Sequence, residues 1–250
     1  MADLAERPAS APHDDLRFLP PAQTWKVLRA ALTGTWQQAM RMRVYGADRL
    51  PREAPAVLAC NHQSNVDSFA IGLAAYPRNI RYLAKTELFE APVIGRFLPH
   101  LGAIAVRRGE SDRDAIRQAR RVIAANCILG IFVEGTRQQE VIGEVQPGAA
   151  MLAIASGAPI IVCCISGSRR HAKDPRHPVS VSFSTPLDLS SFGRGSKAYR
   201  AASLVLKANL ERQSAFLRAT DAAGRPRRAT PPEGFSDLSD LSDVKADVDA

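Results

Sequence analysis

The sequence predicts an α/β fold, in which a single domain contains a mostly covered sheet, mixed or parallel, flanked by helices. Three observations lead to this prediction. Short apolar runs alternate with helix-length segments between residues 44 and 217, a pattern typical of strands joined by crossover helices. Several runs are apolar at every position, which indicates strands covered on both faces. The length of 250 residues suits one sizeable domain with terminal extensions.

The spacing of apolar residues assigns the individual elements of this domain. Short apolar runs predict strands at residues 56–60, 80–84, 103–106, 128–133, 159–165 and 179–183. Helical patterns lie at residues 68–76, 111–126, 148–156 and about 196–217. The second of these helices begins with Ser111 and Asp114 at the spacing of a capping box, with Asp in place of the usual Glu. The domain is therefore expected to cover residues 44–217.

The segments outside this domain differ in composition. Residues 1–21 are rich in Pro and Ala and are predicted to be disordered. Residues 22–43 lack acids and predict an amphipathic N-terminal helix, because apolar residues recur at steps of three and four: Trp25, Leu28, Leu32, Trp36 and Met40. Residues 218–250 begin basic and become rich in Asp, and they are predicted to form a disordered tail.

The chain is basic, with a net charge of +8 and an isoelectric point near 9.7. This charge favours an anionic partner, such as nucleic acid, an anionic membrane surface or a phosphorylated substrate. Only 6% of the residues are aromatic, and no motif interleaves aromatic with basic residues, so nucleic acid is not the expected partner. A lipid surface and a phosphorylated substrate remain.

The cysteines and the longest uncharged stretch favour neither a metal site nor a membrane span. The four cysteines lack metal-type spacing, so free thiols are expected in a reducing compartment and no metal site is predicted. Residues 145–168 carry no charge, but Pro159 would break a spanning helix. A buried helix, a turn and a buried strand are predicted there instead. No secretory signal is recognised in residues 1–15.

The candidates for acid–base chemistry are His62 and Asp67, in the segment N-H-Q-S-N-V-D that follows the apolar run at residues 56–60. If His62 lies in a turn and Asp67 in the first turn of the next helix, Asp67 can accept a hydrogen bond from one imidazole nitrogen. The other nitrogen is then available to remove a proton from a substrate. Taken alone, this spacing is more typical of an ordinary turn histidine beside a helix-start aspartate.

Two other strand ends carry groups suited to binding phosphate. Residues 101–109 form a short strand that ends in Arg107 and Arg108, and residues 132–137 run from a strand into a turn. Strand ends border the binding crevice of an α/β sheet, glycine lets backbone amides approach an anion, and arginine can bind phosphate with two hydrogen bonds. Each segment alone is more typical of a solvated turn, but together with His62 and Asp67 they favour a functional site.

These segments resemble the glycerolipid acyltransferase family, typified by the 1-acylglycerol-3-phosphate (lysophosphatidic acid) acyltransferases. The family pattern N-H-x-S-x-x-D is similar to residues 61–67, with Ser64 one place later than in some members. The patterns A-K-x-E-L, G-x-I-x-V-x-R, F-P-E-G-T-R-S and P-I-V-P-V resemble residues 84–88, 102–108, 132–138 and 159–163. The likeness extends over about residues 44–215.

The resemblance implies an enzyme that moves a fatty acyl group from acyl-CoA or acyl-ACP to the free hydroxyl of a lysophospholipid, with no other cofactor. The implied acceptor is 1-acyl-sn-glycerol-3-phosphate, which gives phosphatidic acid. His62 is then the general base, and Asp67 holds its tautomer. The implied substrate-binding residues are Lys85, Arg108, Glu134, Gly135, Thr136 and Arg137. Because Glu134 is anionic, it is expected to orient an arginine or to bond a hydroxyl.

A lipid substrate also decides between two interpretations of residues 22–43. This helix either packs against the domain or lies on an anionic membrane surface, and a lipid substrate favours the second. The expected location is cytoplasmic and peripheral, on the inner face of the membrane, with acyl carrier protein as a candidate partner. Val133, Gln138 and Val162 depart from the family patterns near the acceptor, so lysophosphatidylcholine and lyso-ornithine lipid stay open as acceptors.

Other functions also stay open from the residues. A thioester hydrolase could use His62 and Asp67 with water as the acceptor, although the chain lacks a G-x-S-x-G elbow. A non-catalytic basic module could bind lipid. Cys60, two residues before His62, could carry the acyl group, but burial at the end of a strand is the favoured explanation.

Overall fold

The structure, a computed structural model, describes residues 23–90, 95, 103–106, 112–137 and 141–236. Its strands are β1 (Arg43–Tyr45), β2 (Ala56–Cys60), β3 (Ile80–Lys85), β4 (Ala103–Val106), β5 (Ile128–Phe132), β6 (Ile160–Ser166) and β7 (Ser180–Phe183). Its helices are α1 (Gln23–Ala39), α2 (Asp67–Ala74), α3 (Thr86–Glu90), α4 (Asp112–Ala124), α5 (Gly148–Ser156), α6 (Ser168–His171) and α7 (Ser196–Ala222). Short 3-10 turns lie at Ala47–Arg49 and Ser190–Phe192.

The described strands form one seven-stranded sheet with the order β1-β7-β6-β2-β5-β3-β4. The five strands from β6 to β4 in this order are parallel to one another, whereas β7 runs antiparallel to β6 and pairs in parallel with β1. The prediction of an α/β domain with a mixed sheet flanked by helices is confirmed. Because five strands are parallel, the chain leaves all of them at the same edge of the sheet, where a binding crevice is expected.

Alternation of side chains along β2 explains how both faces of the sheet are covered. Val57 and Ala59 point to one face, where they pack with apolar residues of α4, α5 and α7. Leu58 and Cys60 point to the opposite face and pack with apolar residues of α2. All five residues of β2 are fully buried. The turn that follows β2 therefore starts from the centre of the core.

The N-terminal helix is shorter than predicted. The helix α1 ends at Ala39, and the chain then enters β1 instead of continuing as a helix to residue 43. Arg41 has a left-handed conformation, with φ 47°, and the amide of Met42 donates to the carbonyl of Gln37. This is a Schellman helix end, in which glycine usually occupies the left-handed position. Since arginine occupies it here, the sequence contains no ordinary stop signal.

The predicted disordered tail is wrong for residues 218–236. The helix α7 continues to Ala222, and the residues that follow pack back onto the domain. The guanidinium of Arg49 donates to the carbonyls of Pro231 and Pro232, at 2.8 and 3.0 Å. The tail is held largely by hydrogen bonds to its backbone carbonyls. Such bonds do not require apolar side chains at regular spacing, so the sequence shows no pattern that would predict them. The predictions for residues 1–21 and 237–250 lie outside the described residues.

The uncharged stretch at residues 145–168 has the predicted organisation. It contains α5, a turn with Gly157 in a left-handed conformation, and the buried strand β6. Within the part of the chain that the structure describes, no helix is both long enough and apolar enough to cross a membrane.

Candidate active site

The candidate site is the turn that leads from β2 into α2, at the carboxyl edge of the parallel strands. Its first residue, Asn61, bonds to the backbone of Ile165 in β6. The Asn61 amide donates to the Ile165 carbonyl at 3.1 Å, and its oxygen accepts from the Ile165 amide at 2.8 Å. These bonds prolong the pairing of β2 with β6 beyond Cys60, where the backbone pairing ends. The turn is thereby anchored just before His62.

The predicted contact between His62 and Asp67 is present. Asp67 is the first residue of α2 and is fully buried, and its Oδ2 lies 2.8 Å from His62 Nδ1. The same oxygen accepts from the amides of Gln63 and Ser64, at 2.6 and 2.8 Å. Because three donors converge on Oδ2, the carboxylate is held in place and directs the imidazole proton to Nδ1. Nε2 is then the ring nitrogen suited to accept a proton, and the side chain is 21% exposed.

Aromatic rings support the imidazole of His62. Phe132, the last residue of β5, stacks on it with ring centroids 4.1 Å apart and the planes 23° from parallel. Tyr82 of β3 stacks in turn on Phe132, at 5.4 Å and 9°. Tyr82 pairs in register with Gly130 of β5, where a Cβ atom would overlap the tyrosine ring. The absence of a side chain at Gly130 therefore allows this stack to form.

Glu134 connects the turn after β5 to the turn after β2. Its side chain is 6% exposed, and its Oε2 and Oε1 accept from the amides of His62 and Gly143, each at 2.7 Å. The sequence predicts that Glu134 orients an arginine or bonds a substrate hydroxyl. Its partners in the structure are instead two backbone amides, because the two turns lie side by side. The resulting role is to hold the backbone of His62.

The remaining residues of this turn lie at its exposed end. Gly135, Thr136 and Arg137 are exposed, and Gly135 has a φ of 66°, a conformation that favours glycine. Arg137 Nη1 donates to Asn65 Oδ1 at 3.0 Å. This contact brings a cation from the β5 turn to the turn that carries His62, as expected for a shared crevice.

The structure describes the other two predicted cations only in part. Lys85 is the last residue of β3, at the same edge of the sheet, but its side chain is outside the described part of the structure. Arg108 lies outside the described residues altogether. Their predicted contacts with a substrate stay predictions.

The cysteines near this turn are free thiols in the core. Cys60, Cys163 and Cys164 are all buried, which confirms the prediction that Cys60 fills space at the end of β2. Burial raises the pKa of the Cys163 thiol well above its usual value, and burial raises the pKa of Cys164 to about 12. Protonated, enclosed thiols are weak nucleophiles. Among the described residues, no cluster of three or more His, Cys, Asp or Glu side chains could hold a metal ion.

Three supporting residues of this site were not identified from the sequence. Asn61 and Phe132 lie inside the motif segments, but their roles depend on β6 and on the imidazole, which are distant in sequence. Gly130 is a glycine within an apolar strand. Such a glycine is a known sign of close approach by another group, so this signal was present in the sequence.

The site lies in a region of the chain that is similar to known proteins. Residues 41–166 match the protein family described as Acyltransferase. The chain is 32% identical over 126 residues to a 1-acyl-sn-glycerol-3-phosphate acyltransferase of Bacillus subtilis (strain 168), covering 50% of this chain and 63% of that protein. It is 26% identical over 129 residues to 1-acyl-sn-glycerol-3-phosphate acyltransferase BAT2, chloroplastic, of Brassica napus, covering 50% and 37%. The chain thus spans less than two thirds of either relative.

A solved structure has the same fold. The crystal structure of the 1-acyl-sn-glycerophosphate (LPA) acyltransferase PlsC from Thermotoga maritima aligns with a TM-score of 0.60 at 19% sequence identity. The alignment covers 79% of this chain and 84% of that one. At this level of identity, the likeness establishes the fold.

Proposed function

The chain belongs to the Acyltransferase family, and from this membership we propose that it moves a fatty acyl group from an acyl thioester to the free hydroxyl of a lysophospholipid. The acceptor is 1-acyl-sn-glycerol-3-phosphate, and the product is phosphatidic acid. The observation that carries this proposal is the 2.8 Å contact between His62 Nδ1 and Asp67 Oδ2 at the open edge of the sheet. It leaves Nε2 as the ring nitrogen that can act as the base, on a side chain that is partly exposed.

In the proposed reaction, His62 Nε2 takes the proton of the acceptor hydroxyl as its oxygen attacks the thioester carbonyl. The tetrahedral intermediate then breaks its carbon–sulfur bond, and the imidazolium returns the proton to the departing thiolate. Asp67 holds the tautomer of His62 and stabilises the imidazolium. Glu134 and Phe132 act as positioning residues, because they contact the backbone and the ring of His62. A positioned base of this kind is worth about 10²–10⁴-fold in rate.

The acceptor phosphate is assigned to the cations that follow β3, β4 and β5. Arg137 supports this assignment, because its guanidinium contacts Asn65 within the His62 turn. Lys85, Gly135 and Thr136 are assigned to the same subsite, since Lys85 ends β3 and the other two follow β5, a strand parallel to it. Arg108 is assigned to it because it comes two residues after β4 in the sequence. A phosphate monoester is compact and carries nearly two negative charges, so it gains more from several cations than a zwitterionic headgroup does.

The donor is acyl-CoA or acyl-ACP, which acts as a co-substrate. The proposed reaction needs no further cofactor, because the thioester is already activated and the base is a side chain. Acyl carrier protein is therefore a candidate partner, in addition to the two substrates.

A panel of acceptors with one labelled palmitoyl thioester tests this function. We expect transfer to lysophosphatidic acid to be faster than transfer to lysophosphatidylcholine or to a lyso-ornithine lipid. A faster reaction with either of the latter would overturn the choice of acceptor but leave acyl transfer in place. Release of free fatty acid at the same rate with and without acceptor would identify a hydrolase, and no turnover would identify a binding module.

The proposed location is an anionic membrane surface, on the cytoplasmic face. Its support is α1, on which Leu32 and Trp36 are 50% and 49% exposed. The same helix is attached to α2, since Trp36 packs edge-on against Phe69 and Gln37 Nε2 donates to the Leu73 carbonyl at 2.8 Å. Because α2 begins with Asp67, a membrane that takes up the exposed face of α1 lies close to the active site.

Co-sedimentation with vesicles tests this location. The double variant L32S/W36S should bind anionic phosphatidylglycerol vesicles more weakly than the wild type, and added salt should weaken the wild type's binding. Equal binding by the variant and the wild type would refute the assignment of α1 to the membrane.

A further inference from the structure

A cavity of about 620 Å³ opens beside the catalytic turn, at the carboxyl end of β6. Its walls come mainly from the end of β6, from α6 and the segment just after it, and from the last turns of α7. Gln63 of the catalytic turn and Val141 of the loop after β5 complete the lining. This volume falls within the range of about 300–1,000 Å³ that is typical of small-molecule sites. None of the residues assigned above to the acceptor lines it.

The lining of this cavity is strongly basic. Arg169, Arg170, Lys173 and Arg218 contribute four cationic side chains. One acid, Asp221, also lines it, but its Oδ1 already accepts from Ser180 Oγ at 2.9 Å and lies 3.3 Å from Arg225 Nε. The cavity therefore has a net positive charge and suits an anionic ligand.

The cavity is directly connected to the catalytic turn. Gln63, the neighbour of His62, lines the cavity, and its Oε1 accepts from Ser168 Oγ of α6 at 3.4 Å. The backbone amide of Gln63 also donates to Asp67 Oδ2. A ligand held in the cavity therefore lies against the same turn that positions the base.

The order of the strands places this cavity on the opposite side of His62 from the acceptor cations. His62 follows β2, whose two neighbours in the sheet are β5 and β6. Arg137 follows β5, with Lys85 beyond it at the end of β3, whereas Arg169 follows β6. Acyl transfer to a lysophosphatidate from a phosphopantetheine thioester brings together two phosphorylated substrates. The two basic groups thus match two separate phosphates on either side of one base.

We infer that this cavity binds the phosphate of the acyl donor's phosphopantetheine arm, with Arg169 and Lys173 as principal cations. The inference rests on the proposed acyl transfer, since that reaction requires a thioester donor. Coenzyme A and acyl carrier protein both carry this arm, so the shared ligand chemistry is a phosphate ester linked to pantetheine. Charge-assisted hydrogen bonds from arginine and lysine are the contacts that such a phosphate gains most from.

The double variant R169A/K173A tests this assignment, because both side chains are exposed and their removal should not disturb the core. The matched control is R120A/K197A, which removes the same two charges from exposed positions on α4 and at the start of α7. Lys197 lies about 32 Å along the helix axis from Arg218, at a rise of about 1.5 Å per residue. Thermal unfolding of both variants checks that they fold.

Three donors separate the phosphate from the acyl group: palmitoyl-CoA, palmitoyl-ACP and the palmitoyl thioester of N-acetylcysteamine, which lacks phosphate. In R169A/K173A, we expect the KM for palmitoyl-CoA or palmitoyl-ACP to rise about 10- to 100-fold relative to the KM for the N-acetylcysteamine thioester. The KM for lysophosphatidic acid should change less than about twofold. A larger effect with one of the two phosphorylated donors identifies which of them the cavity serves.

A rise in the KM for lysophosphatidic acid instead would overturn the inference, because the cavity would then hold the acceptor. Equal donor KM values in R169A/K173A and R120A/K197A would also overturn it. Calorimetric binding of coenzyme A separates this inference from the proposed function. If the wild type transfers no acyl group, the proposed acyl transfer is refuted. The cavity's role as the donor site is refuted as well if coenzyme A then binds equally strongly to the wild type and to R169A/K173A.

Discussion

The turns after β2 and β6 leave adjacent strands at the same edge of the sheet, yet they are built in opposite ways. In the turn after β2, Asp67 is fully buried and accepts three hydrogen bonds, while Glu134 accepts the backbone amide of His62. After β6, Arg169 of α6 and Lys173 just beyond that helix are exposed around an open cavity. The first turn fixes the position of one reacting nitrogen, and the second offers charge to an incoming group.

This difference separates chemistry from recognition at a single sheet edge. A base must be held within a fraction of an ångström to act, which requires buried partners that hydrogen-bond to it. Cations that capture a phosphate act through charge and can stay solvated until the ligand arrives. Changes around the β2 turn should therefore lower kcat, whereas changes around the β6 turn should raise KM.

The largest effect is expected from the base and its carboxylate. His62→Ala and Asp67→Asn should each lower kcat by about 10²–10⁴-fold, because the first removes the proton acceptor and the second no longer selects the Nδ1–H tautomer. Steady-state kinetics with palmitoyl thioester and lysophosphatidic acid measure this effect, and circular dichroism checks the fold. If folded His62→Ala keeps more than a tenth of the wild-type kcat, the β2 turn is not the catalytic one.

A smaller loss is expected from the residue that joins the β5 and β2 turns. Glu134→Gln replaces one of two acceptor oxygens by a donor, so one backbone amide loses its partner. We expect the free energy of unfolding to fall by about 1–3 kcal/mol and kcat to fall about tenfold. Urea denaturation and steady-state kinetics measure the two effects.

Glu144→Gln is the matched control, since Glu144 is exposed and lies next to Gly143, whose amide Glu134 binds. This control should keep wild-type stability and kcat. An equal free energy of unfolding and an equal kcat in the two variants would show that Glu134 does not hold His62 in place.

The aromatic stack predicts a further, more modest effect on kcat. Gly130→Ala adds a Cβ that overlaps the ring of Tyr82, so Tyr82 and then Phe132 must move away from His62. Overpacking of this kind costs about 1–3 kcal/mol of stability. We expect a severalfold lower kcat with an unchanged donor KM. Gly148→Ala is the control, because no atom lies within 4 Å of the Cβ it would add, apart from its chain neighbours and the backbone of its own helix. A higher donor KM in Gly130→Ala would contradict the separation of the two turns.

The smallest effect is expected from the thiols behind the catalytic turn. Cys60→Ala should keep activity close to the wild type, because Cys60 is a core residue and the base is His62.

The exposure of the thiols can be tested by labelling the wild type. Cys127 is partly exposed and should react with a maleimide at pH 8. Burial raises the pKa of Cys164 to about 12, so this thiol stays protonated at pH 8 and becomes more reactive only as the pH rises towards that value. Mass spectrometry of the labelled peptides compares them. Equally fast labelling of Cys164 would mean that the core around β6 is open.

Several features of this protein could be predicted from its sequence because they depend on local order. The strands β2 and β6 are apolar at consecutive positions, and this pattern is sufficient to indicate buried strands in an α/β sheet. The contact of His62 with Asp67 could likewise be predicted, once the segment after β2 was interpreted as a turn that leads into a helix. Only one strand–turn–helix unit is needed to bring these two side chains together.

The tertiary structure alone decided which distant groups meet at that turn. Glu134 binds the amide of His62 across 72 positions of sequence, and Asn61 binds Ile165 across 104. Each of these hydrogen bonds to the backbone needs only one carboxylate or one amide side chain. It therefore produces no periodic pattern of residues and no bias in composition that could be recognised in the sequence. For the same reason, no role was predicted from the sequence for the cations after β6. Their position beside His62 is set by the pairing of β6 with β2, which no local pattern encodes.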